Sequence, residues 1–123
     1  MTGKVLIIDD DARNIFALSA VLKAKGYQCI SALAAQDGLR LIEKDHDIKI
    51  VLLDMMMPEL DGYETLNIIR NGPRRAIPVV AVTAQAMMGD RERCLEAGAD
   101  DYIPKPIDID YLLKLLNQHV RES

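Results

Sequence analysis

The chain has 123 residues, of which 50% are hydrophobic, and 15 basic against 19 acidic side chains leave a net charge of -4. That length and apolar content fit one core, so residues 1–123 are read as a single domain. An acidic balance whose only basic clusters are short, such as Arg74-Arg75, excludes direct nucleic-acid binding, and apolar runs of no more than strand length exclude membrane insertion. Cys29 and Cys94 lie far apart, without the spacing of a metal knuckle or a redox motif, and no signal-peptide core opens the sequence. Both are expected to be reduced thiols, packed as small hydrophobes in a cytoplasmic protein.

In chain order, apolar strand-like runs alternate with stretches of helical period, the pattern of an α/β fold whose parallel sheet is covered on both faces. Val5-Leu-Ile-Ile8 is the first strand. A helix follows from about Ala12 to Lys25, with Ile15, Leu18 and Leu22 on one face and Gly26 as its left-handed stop. Asp11, just ahead of that helix, suits a cap better than a metal ligand. The second strand spans about Gln28 to Ala32, the second helix 35–44 with Leu39 and Ile42, and the third strand Ile48 to Leu53. A Met-Pro-Glu-Leu-Asp-Gly turn leads to a helix from Gly62 to Arg70, and Gly72-Pro73 breaks it before the fourth strand, Val79-Val-Ala-Val82. The fourth helix is expected from about Met88 to Glu96, ending at Gly98, and the fifth strand at Tyr102-Ile103. The last helix, with Asp108 as N-cap, carries the clearest apolar stripe: Ile109, Leu112, Leu113, Leu116 and Val120.

Polar residues stand at the ends of these apolar runs: Asp9 and Asp10, Asp54, Thr83 and Lys105. Ligands of an open parallel sheet bind outside the carboxyl ends of its strands, so these side chains should converge on one crevice. Three carboxylates in one place repel each other and invite a divalent cation. With a lysine and a hydroxyl beside them, they suggest phosphoryl chemistry on an aspartate.

The pattern Ile8-Asp-Asp10, Leu53-Asp54-Met-Met-Met-Pro58 with Asp61-Gly62, Val82-Thr83-Ala84 and Lys105-Pro106 resembles the receiver domain of two-component response regulators over essentially the whole chain. Gly26-Tyr27 and Ala97-Gly-Ala-Asp100 fit the same pattern, and Asp11-Ala-Arg-Asn14 with Ala84-Gln-Ala86 looks like receivers attached to hybrid sensor kinases. The resemblance implies a doubly wound, flavodoxin-like sheet of five parallel strands in the order 2-1-3-4-5 with five helices. It places the phosphoacceptor at Asp54 and implies Mg²⁺ held by Asp10 and Asp54, by Asp9 mostly through water, and by the backbone carbonyl of Met56. Lys105 would pair with the acceptor and then with a phosphoryl oxygen, a cis peptide would precede Pro106, and Thr83 would hydrogen-bond the phosphoryl group beside small Ala84. Tyr102 aligns with the switch aromatic of the family, though a tyrosine in an edge strand also reads as half-buried packing. Phosphorylation would turn Thr83 and Tyr102 inward and alter the face of the fourth helix, fifth strand and fifth helix. Met87 and Met88 lie near that face, as a docking patch or as packing. The implied donor is a phosphohistidine on a histidine kinase or a histidine phosphotransfer domain.

Met56 and Gln85 occupy the positions that border the attacking water in the family, and a thioether cannot orient water, so slow self-dephosphorylation is expected. His46 and His119 sit in no motif for a phosphohistidine, and His119 suits a solvated place at a helix end. The chain is expected to be a switch that takes part in its own phosphorylation rather than an enzyme. An aspartate-nucleophile phosphohydrolase would carry a second acid where Met56 stands, and a flavodoxin-like cofactor binder would want a glycine- or hydroxyl-rich loop where Asp9 and Asp10 stand. The alternative is a pseudo-receiver that works by protein binding alone, against which the intact acidic set argues.

Overall fold

The computed structural model describes residues 3–57, 61–84 and 89–121. Strands β1 (Lys4–Ile8), β2 (Gln28–Ala32), β3 (Ile48–Asp54), β4 (Val79–Thr83) and β5 (Asp101–Pro104) alternate with helices α1 (Ala12–Ala24), α2 (Ala35–Lys44), α3 (Gly62–Arg70), α4 (Asp90–Glu96) and α5 (Ile109–Leu116). All strand pairs are parallel, in the order β2-β1-β3-β4-β5. This is the doubly wound order that the family resemblance implies.

Successive strand side chains point to opposite faces, and here both faces are covered, which is why β1, β3 and β4 are unbroken apolar runs. Leu6, Ile8, Val51, Leu53, Val79 and Ala81 pack on one side with Ala35 and Ile42 of α2, Leu66 and Ile69 of α3, and Cys94 of α4. Val5, Ile7, Ile50, Leu52, Val80 and Val82 pack on the other with Ile15 and Leu22 of α1 and Leu112, Leu115 and Leu116 of α5. Edge strand β2, with the weaker sequence Gln-Cys-Ile-Ser-Ala, is correspondingly only partly buried.

Two aspartates expected as caps act as such: Asp11 accepts from the Arg13 N–H at 2.9 Å, and Asp108 from the N–H groups of Asp110 and Tyr111 at 3.0 and 3.3 Å. Gly26 is left-handed, with φ of 93°, and Lys105-Pro106 is a cis peptide. The final helix departs from a single amphipathic rod. Its α-helical hydrogen bonding stops at Leu116, Asn117–Arg121 continue as a π-helical turn, and the Tyr27 hydroxyl donates to Asn117 Oδ1 at 2.5 Å where the register changes. Leu115, outside the stripe read from the sequence, is buried with Leu112 and Leu116, whereas the Val120 side chain lies outside the described residues. The start of the fourth helix near Met88 also falls outside them; the helix is described from Asp90.

Arginines fasten the loops at the far side of the α2–α4 layer. Arg74 donates to the carbonyls of Ile42, Asp45 and Ile48, and Arg70 to those of Arg75, Ile77 and Gly98. Arg70 also pairs with Asp100 at 2.9 Å, whose carboxylate accepts from the Val79 N–H.

Gly62 opens α3 against the backbone of the loop after β3. A Cβ there would lie 2.4 Å from Met55 Sδ and 2.6 Å from Met55 Cα. Gly62→Ala is therefore expected to destabilise the fold by about 2 kcal/mol, the reverse of the gain of roughly 1 kcal/mol that alanine brings to an open helical site. Urea denaturation checks the sign.

Candidate functional site

Hydrogen bonding beyond the strand ends carries the sheet into the loops that hold the polar residues. The Asp9 N–H donates to Ala32 O at 3.1 Å, the Met55 N–H to Val82 O at 2.9 Å and the Lys105 N–H to Thr83 O at 2.8 Å. Asp54 is the last residue of β3 and pairs with Val82, and Thr83 ends β4 opposite Pro104. Asp9, Asp54, Thr83 and Lys105 thus sit on adjacent strand ends.

Asp9 and Asp54 are buried and Asp10 is exposed, yet a carboxylate oxygen from each of the three lies within 4.8 Å of the others. Local N–H groups hold two of them in place: Asp9 Oδ1 accepts from the Asp11 N–H at 2.9 Å, and Asp54 Oδ1 from the Met56 N–H at 3.0 Å. The Lys105 ammonium lies between them, donating to Asp9 Oδ2 at 3.4 Å and standing 3.7 Å from Asp54 Oδ2. One cation faces two carboxylates with a third nearby, so negative charge remains in excess. Burial pushes the Asp54 carboxyl above its ordinary 3.8; the Met56 N–H and Lys105 oppose this, and Asp9 and Asp10 add to it.

Oxygen donors close together, with one open to water, fit a small hard divalent cation that keeps part of its hydration shell. Beside this cluster a cleft of about 520 Å³ runs between α1 and the loop after β5, lined by Asn14, Leu18, Val21, Pro106 and Ile107 and reaching Asp9 and Lys105.

Residues 5–117 match the response regulator receiver domain. The chain belongs to this family. It is 38% identical over 122 residues to the sensor histidine kinase RcsC of Escherichia coli, covering 97% of this chain and 13% of that protein. The chain thus spans about an eighth of the length of the relative RcsC. It is 32% identical, over all of both chains, to the polar-differentiation response regulator DivK of Brucella ovis. Among solved structures, a response regulator receiver protein of Pseudomonas putida superposes with a TM-score of 0.90 at 26% identity, covering 97% of this chain and 98% of that one. The receiver domain of a Pseudomonas aeruginosa sensor histidine kinase, described with a magnesium ion coordinated in its active-site cleft, gives 0.86 at 32% identity, covering 97% and 98%. The chain is therefore a receiver domain of two-component signalling, and none of its described helices is long and apolar enough to cross a membrane.

Of the residues singled out in the sequence, Asp9, Asp10, Asp54 and Lys105 meet directly, Thr83 is buried at the neighbouring strand end, and the Met56 backbone closes on Asp54. Tyr102 does not join them; its hydroxyl donates to Asp90 of α4 at 3.5 Å. Gln85, Met87 and Met88 lie outside the described residues. The sequence reading missed Asp90 and Tyr63, whose hydroxyl donates to the same carboxylate at 3.3 Å, because neither stands at a strand end or in a family motif.

Folding raises the proton affinity of Asp54, so the folded state binds more protons than the unfolded chain, and the stability contributed by this group falls as pH rises from the ordinary 3.8 through the higher folded value. Ionised Asp54 is then a destabilising charge at neutral pH. In metal-free buffer at neutral pH, Asp54→Asn is expected to raise the melting temperature by roughly 4 °C, as about 1 kcal/mol does in a domain of this size. The gain should shrink as pH falls below the carboxylate range; thermal unfolding of both proteins against pH measures it.

Proposed function

We propose that this receiver domain is a phosphoacceptor of a phosphorelay, in which Asp54 takes a phosphoryl group from a phosphohistidine on a histidine kinase or histidine phosphotransfer domain. The observation that carries this reading is the buried Asp54 carboxylate set among Asp9, Asp10 and Lys105 at the strand ends. Two further acids and one ammonium around a buried aspartate have no evident structural use, since the repulsion among the three carboxylates weakens the fold.

In the transfer, an Asp54 carboxylate oxygen attacks phosphorus, the P–N bond breaks, and its electron pair returns to the imidazole nitrogen, leaving an acyl phosphate on Asp54. The Met56 N–H fixes the orientation of the carboxylate before attack. Lys105, already between Asp9 and Asp54, exchanges part of its pairing for a phosphoryl oxygen, a role open to a compact ammonium on a flexible stem. Asp9, Asp10, Asp54 and the Met56 carbonyl would hold Mg²⁺, which when bound offsets the negative charge of carboxylates and phosphoryl oxygens. The Thr83 hydroxyl takes another phosphoryl oxygen, and Tyr102 follows it inward, changing the face formed by α4, β5 and α5. Residues 1–123 act in this as one receiver unit that promotes its own phosphorylation and hydrolysis without turning over a separate substrate.

Incubation with acetyl phosphate and Mg²⁺ is expected to add roughly 80 Da to the intact mass, the adduct requiring both the metal and Asp54. Its absence from wild type with acetyl phosphate, and again with a phosphohistidine-bearing histidine kinase as donor, would refute the phosphoacceptor reading. Lys105→Ala should slow its formation on the order of a hundredfold, the usual loss when one positioned charge donor is removed. The Met56 side chain, half-exposed beside Asp54, offers no group to orient water, so the adduct is expected to last minutes or longer. Decay within seconds, followed by the same mass measurement, contradicts that.

A further inference from the structure

Helix α4 begins at a left-handed residue. Its N-cap, Gly89, has a φ of 86° and brings no capping side chain, and among the described residues a Cβ there would meet nothing within 4 Å. A left-handed glycine lets the backbone pivot. The first turn is held sideways instead: Asp90 Oδ1 accepts from the Tyr63 hydroxyl of α3 at 3.3 Å, and Asp90 Oδ2 from the Tyr102 hydroxyl of β5 at 3.5 Å. Both contacts exceed the roughly 2.7–2.8 Å that O–H···O bonds prefer, so one carboxylate is shared between two donors and makes a short bond with neither.

Tyr63 is itself firmly seated. The Arg93 guanidinium lies 4.7 Å from its ring centroid, and its hydroxyl is 3.7 Å from the sulfur of fully buried Cys94. Burial, then Cys94 and Asp90, pushes the Tyr63 hydroxyl up to about 12, and burial with Asp90 pushes Tyr102 upward as well, so both remain donors through the neutral range.

We propose that Asp90 is a shared latch, its carboxylate holding the first turn of α4 against α3 through Tyr63 and against β5 through Tyr102. When Tyr102 turns inward its hydroxyl leaves Asp90, one of the two ties is lost, and α4 is released to pivot about Gly89. This coupling to the phosphoryl site rests on the function proposed above. The latch does not, because both ties exist in the unmodified chain.

Cys94 supplies the readout. In a Cys29→Ser background it is the only thiol, and it lies on the core-facing side of α4, so its alkylation by iodoacetamide under native conditions reports opening of that helix. Tyr102→Phe, which keeps the ring and its packing, is expected to speed alkylation about fivefold, as the loss of one hydrogen bond would, and to lower the urea midpoint by no more than that same loss of native-state stability. Asp90→Ala should be faster still, and the double variant no faster than Asp90→Ala alone, since the two residues act through one contact. An unchanged rate in Tyr102→Phe, or a double variant equal to the product of the singles, overturns the latch. With acetyl phosphate and Mg²⁺ added, a phosphoryl adduct with faster Cys94 alkylation supports the coupling, and an adduct with unchanged alkylation overturns it. Absence of any adduct counts against the phosphoacceptor function alone, because the thiol rates of the unmodified variants decide the latch.

Discussion

The repulsion among Asp9, Asp10 and Asp54 is the constraint around which this molecule is organised. Water would screen it, but Asp9 and Asp54 are buried, and Asp54 ends a strand enclosed on both faces. The chain cannot relax by moving Asp54 without unpairing the end of β3 from β4, so it answers with fixed dipoles and one ammonium. The Asp11 and Met56 N–H groups each take one carboxylate, and Lys105 divides itself between two at distances that leave neither pair tight. A site so incompletely neutralised keeps an excess of negative charge that a cation would offset.

Topology makes the crowding possible. Because β2 lies outside β1, the two acid-bearing strands β1 and β3 are neighbours, and the chain reverses direction across the sheet at the point where their loops diverge. Strands β4 and β5 then set a hydroxyl and an ammonium in sequence along the same edge. The two faces differ in kind: α1 and α5 border an open cleft, whereas α2, α3 and α4 are joined by guanidinium groups capping backbone carbonyls.

Much of this was legible in the residues. Strands buried on both sides must be continuous apolar runs, so β1, β3 and β4 stand out, and a polar residue at the end of such a run has few places to be except the carboxyl edge of the sheet. Asp11 and Asp108 announce their helices because capping is a local interaction. What stayed hidden depends on packing between distant segments. Strand order came from family resemblance, since periodicity does not tell β1 which neighbour it has. Asp90 looks like an ordinary acidic helix start until α3 and β5 bring Tyr63 and Tyr102 to it, and no residue near Leu116 marks the change to a π-helical turn.

The two ends of α4 are unequally tethered. At its carboxyl end the Gly98 carbonyl accepts two hydrogen bonds from Arg70, at 2.9 and 2.7 Å, and Arg70 is anchored in turn by Asp100 and two further carbonyls. At its amino end the described ties are two long hydroxyl contacts beside a glycine. A rod clamped at one end and lightly held at the other behaves as a lever. For seven residues, about 10 Å of helix, a swing of about 10° carries the free tip by about 2 Å and leaves the clamped end in place. On the described contacts, a swing of this helix would be graded along its length, and a surface that reads it would feel the amino-terminal turn far more than the carboxyl-terminal one.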